Sequence, residues 1–275
     1  MRFRSSPTGQ ISLLGASSRR FSAKLTHPML LPAEIKVFSD LEEMSRQAAS
    51  RFVRLANQRV AENRLFTVAL SGGSTPRRLY EILGTAPTAQ RIPWANTHVF
   101  QVDERCVPPD HIESNYRMIH EALLSHGAIP ESNIHRMAGE LADHDEAARQ
   151  YGEGIRRVLR PKPADWPRFE LVFLGMGPDG HTASLFPGSD ALDVQVMWVA
   201  PNYVDKLKAY RLTLTLPVLN AAASIIFLVA GADKAETVRQ VLDASGEPDR
   251  FPAQRVRPTN GQVSWYLDEA AAALI

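Results

Sequence analysis

One histidine of the sequence lies in a glycine-rich segment where it could act as an acid or a base. His181 belongs to the segment GMGPDGHT, residues 175–182, and Asp179 precedes it by two residues. Histidine titrates near neutral pH and is the usual general base of enzymes. A histidine that follows glycine in a loop is not typical of a protein core. We therefore interpret His181 as a general base that Asp179 could orient.

The same segment also matches the Gly-x-Gly-x-x-Gly pattern of dinucleotide-binding loops in residues 175–180. That pattern requires a long helix directly after the third glycine and an acidic residue about 20 positions later. Pro187 and Gly188 would interrupt such a helix, and residues 194–204 contain no acid. We therefore reject a dinucleotide site at this loop.

A second candidate is the segment SGGSTP, residues 71–76, between an apolar run and a helical pattern. Its two glycines, Gly72 and Gly73, would let backbone N–H groups point into one concavity, with Ser74 and Thr75 adding hydroxyl groups. We predict Thr75 as the N-cap and Pro76 as the first helical residue, which would make a helix N-terminus suited to phosphate. The same residues would also suit an ordinary strand-to-helix turn.

Several charged residues follow other apolar runs. Asp103, Glu104 and Arg105 end one run, where three charges are poorly placed for packing and well placed for a ligand. Arg105 could bind an anionic or hydroxylated ligand or pair with Asp103. Arg211 lies in YRLTLTL, and Lys234 follows the segment IIFLVAGAD. A lysine at a helix start is unfavourable towards the helix dipole, so an anion would compensate it. For each of these residues, a solvated surface position is the alternative.

The elements that must position these residues alternate between helical periodicity and short apolar runs. We predict strands over 65–70, 97–102 and 169–175, near 196–200, 210–215 and 224–230, and over 263–268. We predict helices over 40–62, 76–83, 114–124, 143–159 and 233–243, and a final Ala-rich helix. This order predicts an α/β fold whose parallel sheet is covered on both faces. Ligands of such sheets bind beyond the strands' carboxyl ends, here after residues 70, 102, 175, 215 and 230.

Composition excludes several classes of protein. The 275 residues are 44% hydrophobic and 22% charged, as in a packed globular protein, and no linker divides residues 33–275. The apolar runs are too short to span a membrane. Residues 1–28 hold five basic residues and no acid, which leaves the remainder with a net charge of −4 and no sign of a nucleic-acid footprint.

The N-terminal residues differ in composition from the rest. We expect residues 1–32 to be a disordered extension, with an organelle transit peptide as the alternative, since this segment is rich in Arg and Ser. Cys106 is the single cysteine, which fits a reducing compartment, and we expect the protein in the cytoplasm.

Together these segments resemble the 6-phosphogluconolactonase family. The resemblance covers about residues 35–272 and is most specific at GPDGHTASLFPG, residues 177–188. Its other segments are ALSGGSTP (69–76), VDERCVPPDHIESNYRM (102–118), RLTLT (211–215) and GADKA (231–235). The resemblance implies a Rossmann-like, three-layer α/β/α fold with a mainly parallel sheet. It also implies hydrolysis of 6-phospho-D-glucono-1,5-lactone to 6-phosphogluconate in the pentose phosphate pathway.

The candidate residues themselves supply a mechanism that is compatible with this reaction. His181 would deprotonate a water molecule, Asp179 would orient it, and Arg105 or loop N–H groups would stabilise the oxyanion. The phosphate of the substrate would be held by Gly72, Gly73, Ser74, Thr75, Arg211 and Lys234. The partner is then a small sugar-phosphate lactone, and no metal or organic cofactor is needed. Monomer and dimer both remain open.

Two other functions are weighed against this one. Glucosamine-6-phosphate deaminases have a similar phosphate loop, but they carry a glutamate where this sequence has Phe186. A sugar-phosphate sensor would bind without turnover and should carry a DNA-binding helix-turn-helix. The 34 residues before the first foldable segment are too short and irregular for one.

Overall fold

A computed structural model describes residues 33–126, 128–243 and 250–275 of the chain. The predicted N-terminal extension, residues 1–32, lies outside the described residues. The ten strands of the described part are β1 (Glu34–Phe38), β2 (Phe66–Leu70), β3 (Thr97–Gln101), β4 (Asp103–Arg105), β5 (Ile134–His135), β6 (Leu171–Leu174), β7 (Val199–Val204), β8 (Ala209–Leu214), β9 (Ser224–Val229) and β10 (Gln262–Asp268). Its α-helices are α1 (Leu41–Ala61), α2 (Ser74–Gly84), α3 (Asn115–Ala122), α4 (His144–Leu159), α5 (Leu216–Ala221) and α6 (Ala235–Leu242).

Seven strands form one sheet in the order β1-β10-β9-β6-β2-β3-β5, and every neighbouring pair is parallel. Successive residues of a strand point to opposite faces of a sheet. In β6, Leu171 and Phe173 pack with α1, α2 and α3, whereas Val172 and Leu174 pack with α4, α5 and α6. The sheet is therefore the middle layer between two helical layers, and the predicted three-layer α/β/α fold is confirmed.

The longer helices begin where the sequence supplies a cap. The Asp40 side chain accepts a hydrogen bond from the backbone N–H of Glu43 at 2.8 Å at the start of α1. Asp143 does the same for Glu146 at 3.0 Å at the start of α4. These bonds satisfy N–H groups that the first turn of a helix leaves without partners.

A second sheet is antiparallel and has the order β4-β8-β7. The runs near 196–200 and 210–215 were expected in the parallel sheet, and that expectation is wrong. Residues 205–208 connect β7 to β8, and so short a connection permits only an antiparallel hairpin. Residue 215, one of the five positions where ligand binding was predicted, therefore does not follow a strand of the parallel sheet.

One residue joins the two sheets. Val102 lies between β3 and β4, and its N–H donates to the Leu70 carbonyl of the parallel sheet at 2.9 Å. Its own carbonyl accepts from the N–H of Leu214, in the antiparallel sheet, at 2.8 Å. The chain thus passes directly from one sheet into the other.

The predicted Ala-rich helix after β10 is also wrong. Residues 269–274 form turns, and the Asp268 carboxylate accepts from the Ala271 N–H at 2.7 Å. Ala271 is fully buried in the core. Alanine has the highest intrinsic helix propensity, but such a preference is weak, and tertiary packing overrides it in so short a segment. Within the described residues, no helix has the length and apolarity needed to cross a membrane.

Candidate active site

A cavity of about 720 Å³ opens between the two sheets, at the carboxyl ends of β2, β6 and β9. Its lining contains all nine residues for which a catalytic or phosphate-binding role was predicted: Gly72, Gly73, Ser74, Thr75, Arg105, Asp179, His181, Arg211 and Lys234. This is the edge where ligands bind to open parallel sheets.

The glycine turn, residues 71–76, leads from β2 into α2. Gly73, with φ 107°, takes the N-cap position, and no side chain caps the helix. Thr75 is therefore not the N-cap as predicted, because the helix already begins at Ser74. Positive φ is open to glycine at little cost, so the backbone itself makes the turn. The first N–H groups of α2 are left without intrahelical partners next to the cavity.

Gly72 is required for a different reason. A Cβ atom placed on it would lie 1.7 Å from Oδ1 of Asn115, the first residue of α3. The Asn115 side chain is held in place, since its Nδ2 donates to the Asp103 carbonyl at 2.9 Å. The glycine turn thus packs directly against the start of α3.

Glu104 does not face the cavity. Its buried carboxylate accepts hydrogen bonds from the N–H groups of Asn115 and Tyr116, both at 2.7 Å. Its other donors are Gln101 Nε2, the Arg105 N–H and Ser114 Oγ. Burial raises the pKa of Glu104, and these hydrogen bonds oppose the rise. The idea that all three charges of 103–105 serve a ligand is therefore wrong for Glu104, which joins β4 to α3.

Asp103 and Arg105 both line the cavity because alternate residues of β4 share a face. They do not form the ion pair that was one alternative. Asp103 Oδ2 accepts from Ser184 Oγ at 2.7 Å, and Arg105 Nη1 donates to the Glu113 carbonyl at 2.5 Å.

Arg105 and Arg211 form an arginine pair across the antiparallel sheet. They are direct cross-strand partners in the β4–β8 register, and both line the cavity. Burial lowers the pKa of the Arg211 guanidinium, and the positive charge of Arg105 lowers it further. Like charges directly opposite each other destabilise a sheet, so an anion bound between them would relieve the repulsion.

His181 lies in a cluster with Asp179, Phe186 and Lys206, which we call the imidazole cluster. His181 Nδ1 is 2.5 Å from Asp179 Oδ1, and the imidazole stacks on Phe186 with ring centroids 4.2 Å apart. A carboxylate accepts the Nδ1–H, which leaves Nε2 unprotonated and able to accept a proton. A Cβ on Gly177 would lie 2.1 Å from the imidazole, so this glycine allows the ring its position.

Sequence reasoning missed Lys206. It lies in the short turn Asp205–Leu207 between β7 and β8, and its Nζ contacts Asp179 Oδ2. Burial raises the pKa of Asp179, but hydrogen bonds from His181 and Lys206 outweigh it and hold the pKa well below its ordinary value. No local pattern around Lys206 indicates the contact, because it depends on how the hairpin folds back.

The remaining cations divide between cavity and surface. Lys234 lines the cavity just before α6, with Nζ 2.5 Å from Asp233 Oδ2. Arg77 and Arg78, which follow the glycine turn, pair with Glu81 on the outer side of α2. In the part of the chain that the structure describes, no three His, Cys, Asp or Glu side chains are grouped to hold a metal ion.

Comparisons with known proteins identify the family. The model of the family "Glucosamine-6-phosphate isomerases/6-phosphogluconolactonase" matches residues 39–265. The chain belongs to this family. The resemblance that the motifs indicated is thereby confirmed.

Individual members of the family match most of the chain. A 6-phosphogluconolactonase from Synechocystis is 41% identical over 77% of this chain and 85% of its own length. A probable chloroplastic 6-phosphogluconolactonase from Oryza sativa subsp. indica is 35% identical over 87% of this chain and 75% of its own. The solved 6-phosphogluconolactonase of Trypanosoma brucei superposes with a TM-score of 0.78 at 29% identity, covering 89% of this chain and 98% of that one.

Proposed function

We propose that the protein hydrolyses 6-phospho-D-glucono-1,5-lactone to 6-phosphogluconate, a step of the pentose phosphate pathway. The lactonase relatives support the reaction. The observation that carries the proposal is that the His181–Asp179 pair and the cationic residues line one cavity. A base and an anion site so close together suit an ester that carries a phosphate.

The chemistry follows from the imidazole cluster. Nε2 of His181 accepts a proton from water while the water oxygen attacks the lactone carbonyl carbon. The tetrahedral intermediate collapses by breaking the bond from that carbon to the ring oxygen. The ring oxygen takes the proton back from His181 and becomes a hydroxyl group, so the enzyme returns to its starting state.

The charge that develops needs donors already in place. We assign Arg105 to the carbonyl oxygen, where a positioned donor stabilises the oxyanion of the intermediate. We assign Arg211, Lys234 and the glycine turn to the phosphate, since helix N-terminal N–H groups and cations both favour a dianion. The lactone is an ester, so a base and charge stabilisation suffice for hydrolysis, and the mechanism uses no metal or organic cofactor.

Lactone hydrolysis at about pH 6.5, followed by base titration, tests the proposal. We expect the purified chain to accelerate it well above the uncatalysed rate and to release no ammonia from glucosamine 6-phosphate. Deamination needs an additional acid–base group, and the ring of Phe186 that stacks on His181 cannot transfer a proton. Ammonia release at a comparable rate would replace the proposal with deamination. Binding without turnover would replace it with sensing.

We also propose that the protein works in the cytoplasm, because Cys106, its single cysteine, is free and suits a reducing compartment. A fusion of residues 1–32 to a fluorescent protein tests this in the source cells. Diffuse fluorescence is expected, and accumulation in an organelle would overturn the proposal.

A further inference from the structure

Lys206 makes two contacts within the imidazole cluster and belongs to neither the predicted base nor the predicted anion site. Its Nζ contacts Asp179 Oδ2 and lies 4.6 Å from the centroid of the Phe186 ring. We propose that Lys206 is a positioning residue that sets the basicity of His181 by neutralising Asp179. The inference rests on the proposed function in that it assigns His181 as the base.

The two oxygens of Asp179 have different partners. Oδ1 faces His181, at 2.5 Å from Nδ1 and 3.2 Å from the backbone N, while Oδ2 faces Lys206. With both oxygens engaged, the carboxylate cannot rotate without losing a contact. Lys206 therefore fixes the oxygen that orients the imidazole, although it makes no contact with the imidazole in this structure.

The charge of Lys206 has a second effect. A carboxylate beside an imidazole stabilises the protonated form, which raises the histidine pKa. An imidazole that is protonated at neutral pH cannot accept a proton from water. A cation on the far oxygen of Asp179 opposes this effect, so Lys206 should favour the neutral imidazole relative to a variant that lacks this charge.

Other charged groups act on His181 from the elements around the cavity. Asp103 and Arg105 on β4, Arg211 on β8 and Lys234 before α6 line the same space. All four remain present when only Lys206 is changed. A difference between the parent protein and a Lys206 variant therefore reports on Lys206 itself.

The hairpin offers a matched control. Lys208 lies two residues later, is exposed, and is not part of the cavity lining. Lys208→Met removes the same charge from the same turn without removing the contact to Asp179. Lys206→Arg keeps a cation in reach of Asp179 and serves as the conservative variant.

The test is the pH profile of kcat/KM for the phosphorylated lactone between pH 5 and 8. For Lys206→Met we expect the acidic limb to move upward by roughly half to one pH unit, as one charge at this distance near the surface predicts. At pH 6 the variant should lose about three- to tenfold in kcat/KM, mostly in kcat. Lys206→Arg and Lys208→Met should keep the parent profile.

NMR titration of the histidines gives a readout that needs no turnover. The His181 signal is assigned by its loss in His181→Asn, and its midpoint should rise in Lys206→Met by the same shift. Unchanged midpoints and an unchanged acidic limb would overturn the proposal, as would an effect confined to KM. If the parent fails to hydrolyse the lactone, the proposed function falls, while the titration still decides the role of Lys206.

Discussion

The imidazole cluster and the arginine pair line the same cavity but differ in how their charges are balanced. In the imidazole cluster, the Asp179 carboxylate lies between His181 and Lys206, so opposite charges meet. In the arginine pair, two cations are cross-strand neighbours, and each donates to a backbone carbonyl. Within the described residues, no carboxylate forms a salt bridge with either arginine.

In the proposed mechanism, this difference separates the base that reacts from two cations that meet negative charge on the ligand, the oxyanion at Arg105 and the phosphate at Arg211. The proposed general base must hold its orientation before the substrate arrives, and the contact of His181 with Asp179 provides that orientation. A binding site gains affinity when the ligand relieves an unfavourable arrangement, and the arginine pair is such an arrangement. The imidazole cluster is complete in the unliganded protein, whereas the arginine pair is completed by its anion.

The largest expected effect concerns the imidazole cluster. His181→Asn should lower kcat by about 10²–10⁴-fold with little change in KM, the usual effect of losing a general base. Steady-state hydrolysis above the uncatalysed rate measures it. His120→Asn, on the exposed side of α3, is the matched control and should retain full activity. Near-full turnover in His181→Asn would place the base elsewhere.

The two residues of the arginine pair should show different functions when lactones with and without a phosphate are compared. Arg105→Gln should lower kcat by about 10²-fold or more on both lactones, because the oxyanion forms in both. Arg211→Gln should raise KM by about 10- to 100-fold for the phosphorylated lactone alone, as loss of a charge-assisted hydrogen bond predicts. Kinetics on 6-phosphogluconolactone and on gluconolactone measure the two effects.

The control for that comparison is Arg77→Gln, which removes a surface cation outside the cavity lining. It should leave both lactones unaffected. Equal losses on the two lactones for Arg211→Gln would remove Arg211 from the phosphate site.

The smallest effect is on stability. Arg211→Met should stabilise the unliganded protein by a few tenths to about 1 kcal/mol, since it removes the like-charge contact with Arg105. Thermal unfolding should show the melting temperature rising by about 2–4 °C at most. Inorganic phosphate should then raise the melting temperature of the variant less than that of the parent. If Arg211→Met lowers the melting temperature, and phosphate raises it as much as in the parent, the arginine pair is not a repulsive contact that an anion relieves.

Much of the fold could be predicted because its signals are local. The apolar spacing of residues 40–62 predicts α1. The runs that form β2, β6 and β9 are apolar except for Thr67 and Ser224, as in a sheet buried on both faces. In the antiparallel sheet, β7 and β8 form a local hairpin, but the pairing of β4 with β8 is long-range and has no local signal. Asp103 pairs with Thr213, and nothing in either segment indicates the other.

The site residues show the same difference between local and long-range signals. His181 and Asp179 could be predicted since they lie two residues apart in one loop. Lys206 could not, because 27 residues of chain separate it from Asp179. Glu104 was misinterpreted although strand alternation could have separated it from Asp103 and Arg105, whose side chains share the opposite face.

The position of Val102 between the two sheets has a consequence for protein engineering. Because this residue bonds to both sheets, the hairpin of β7 and β8 is anchored at one end while its tip at residues 205–208 reaches the cavity. Sequence or length changes at that tip alter the entrance to the site without disturbing the parallel sheet. Libraries that vary Asp205, Leu207 and Lys208 and leave Val102 and Lys206 intact are therefore a direct route to variants that accept other sugar lactones.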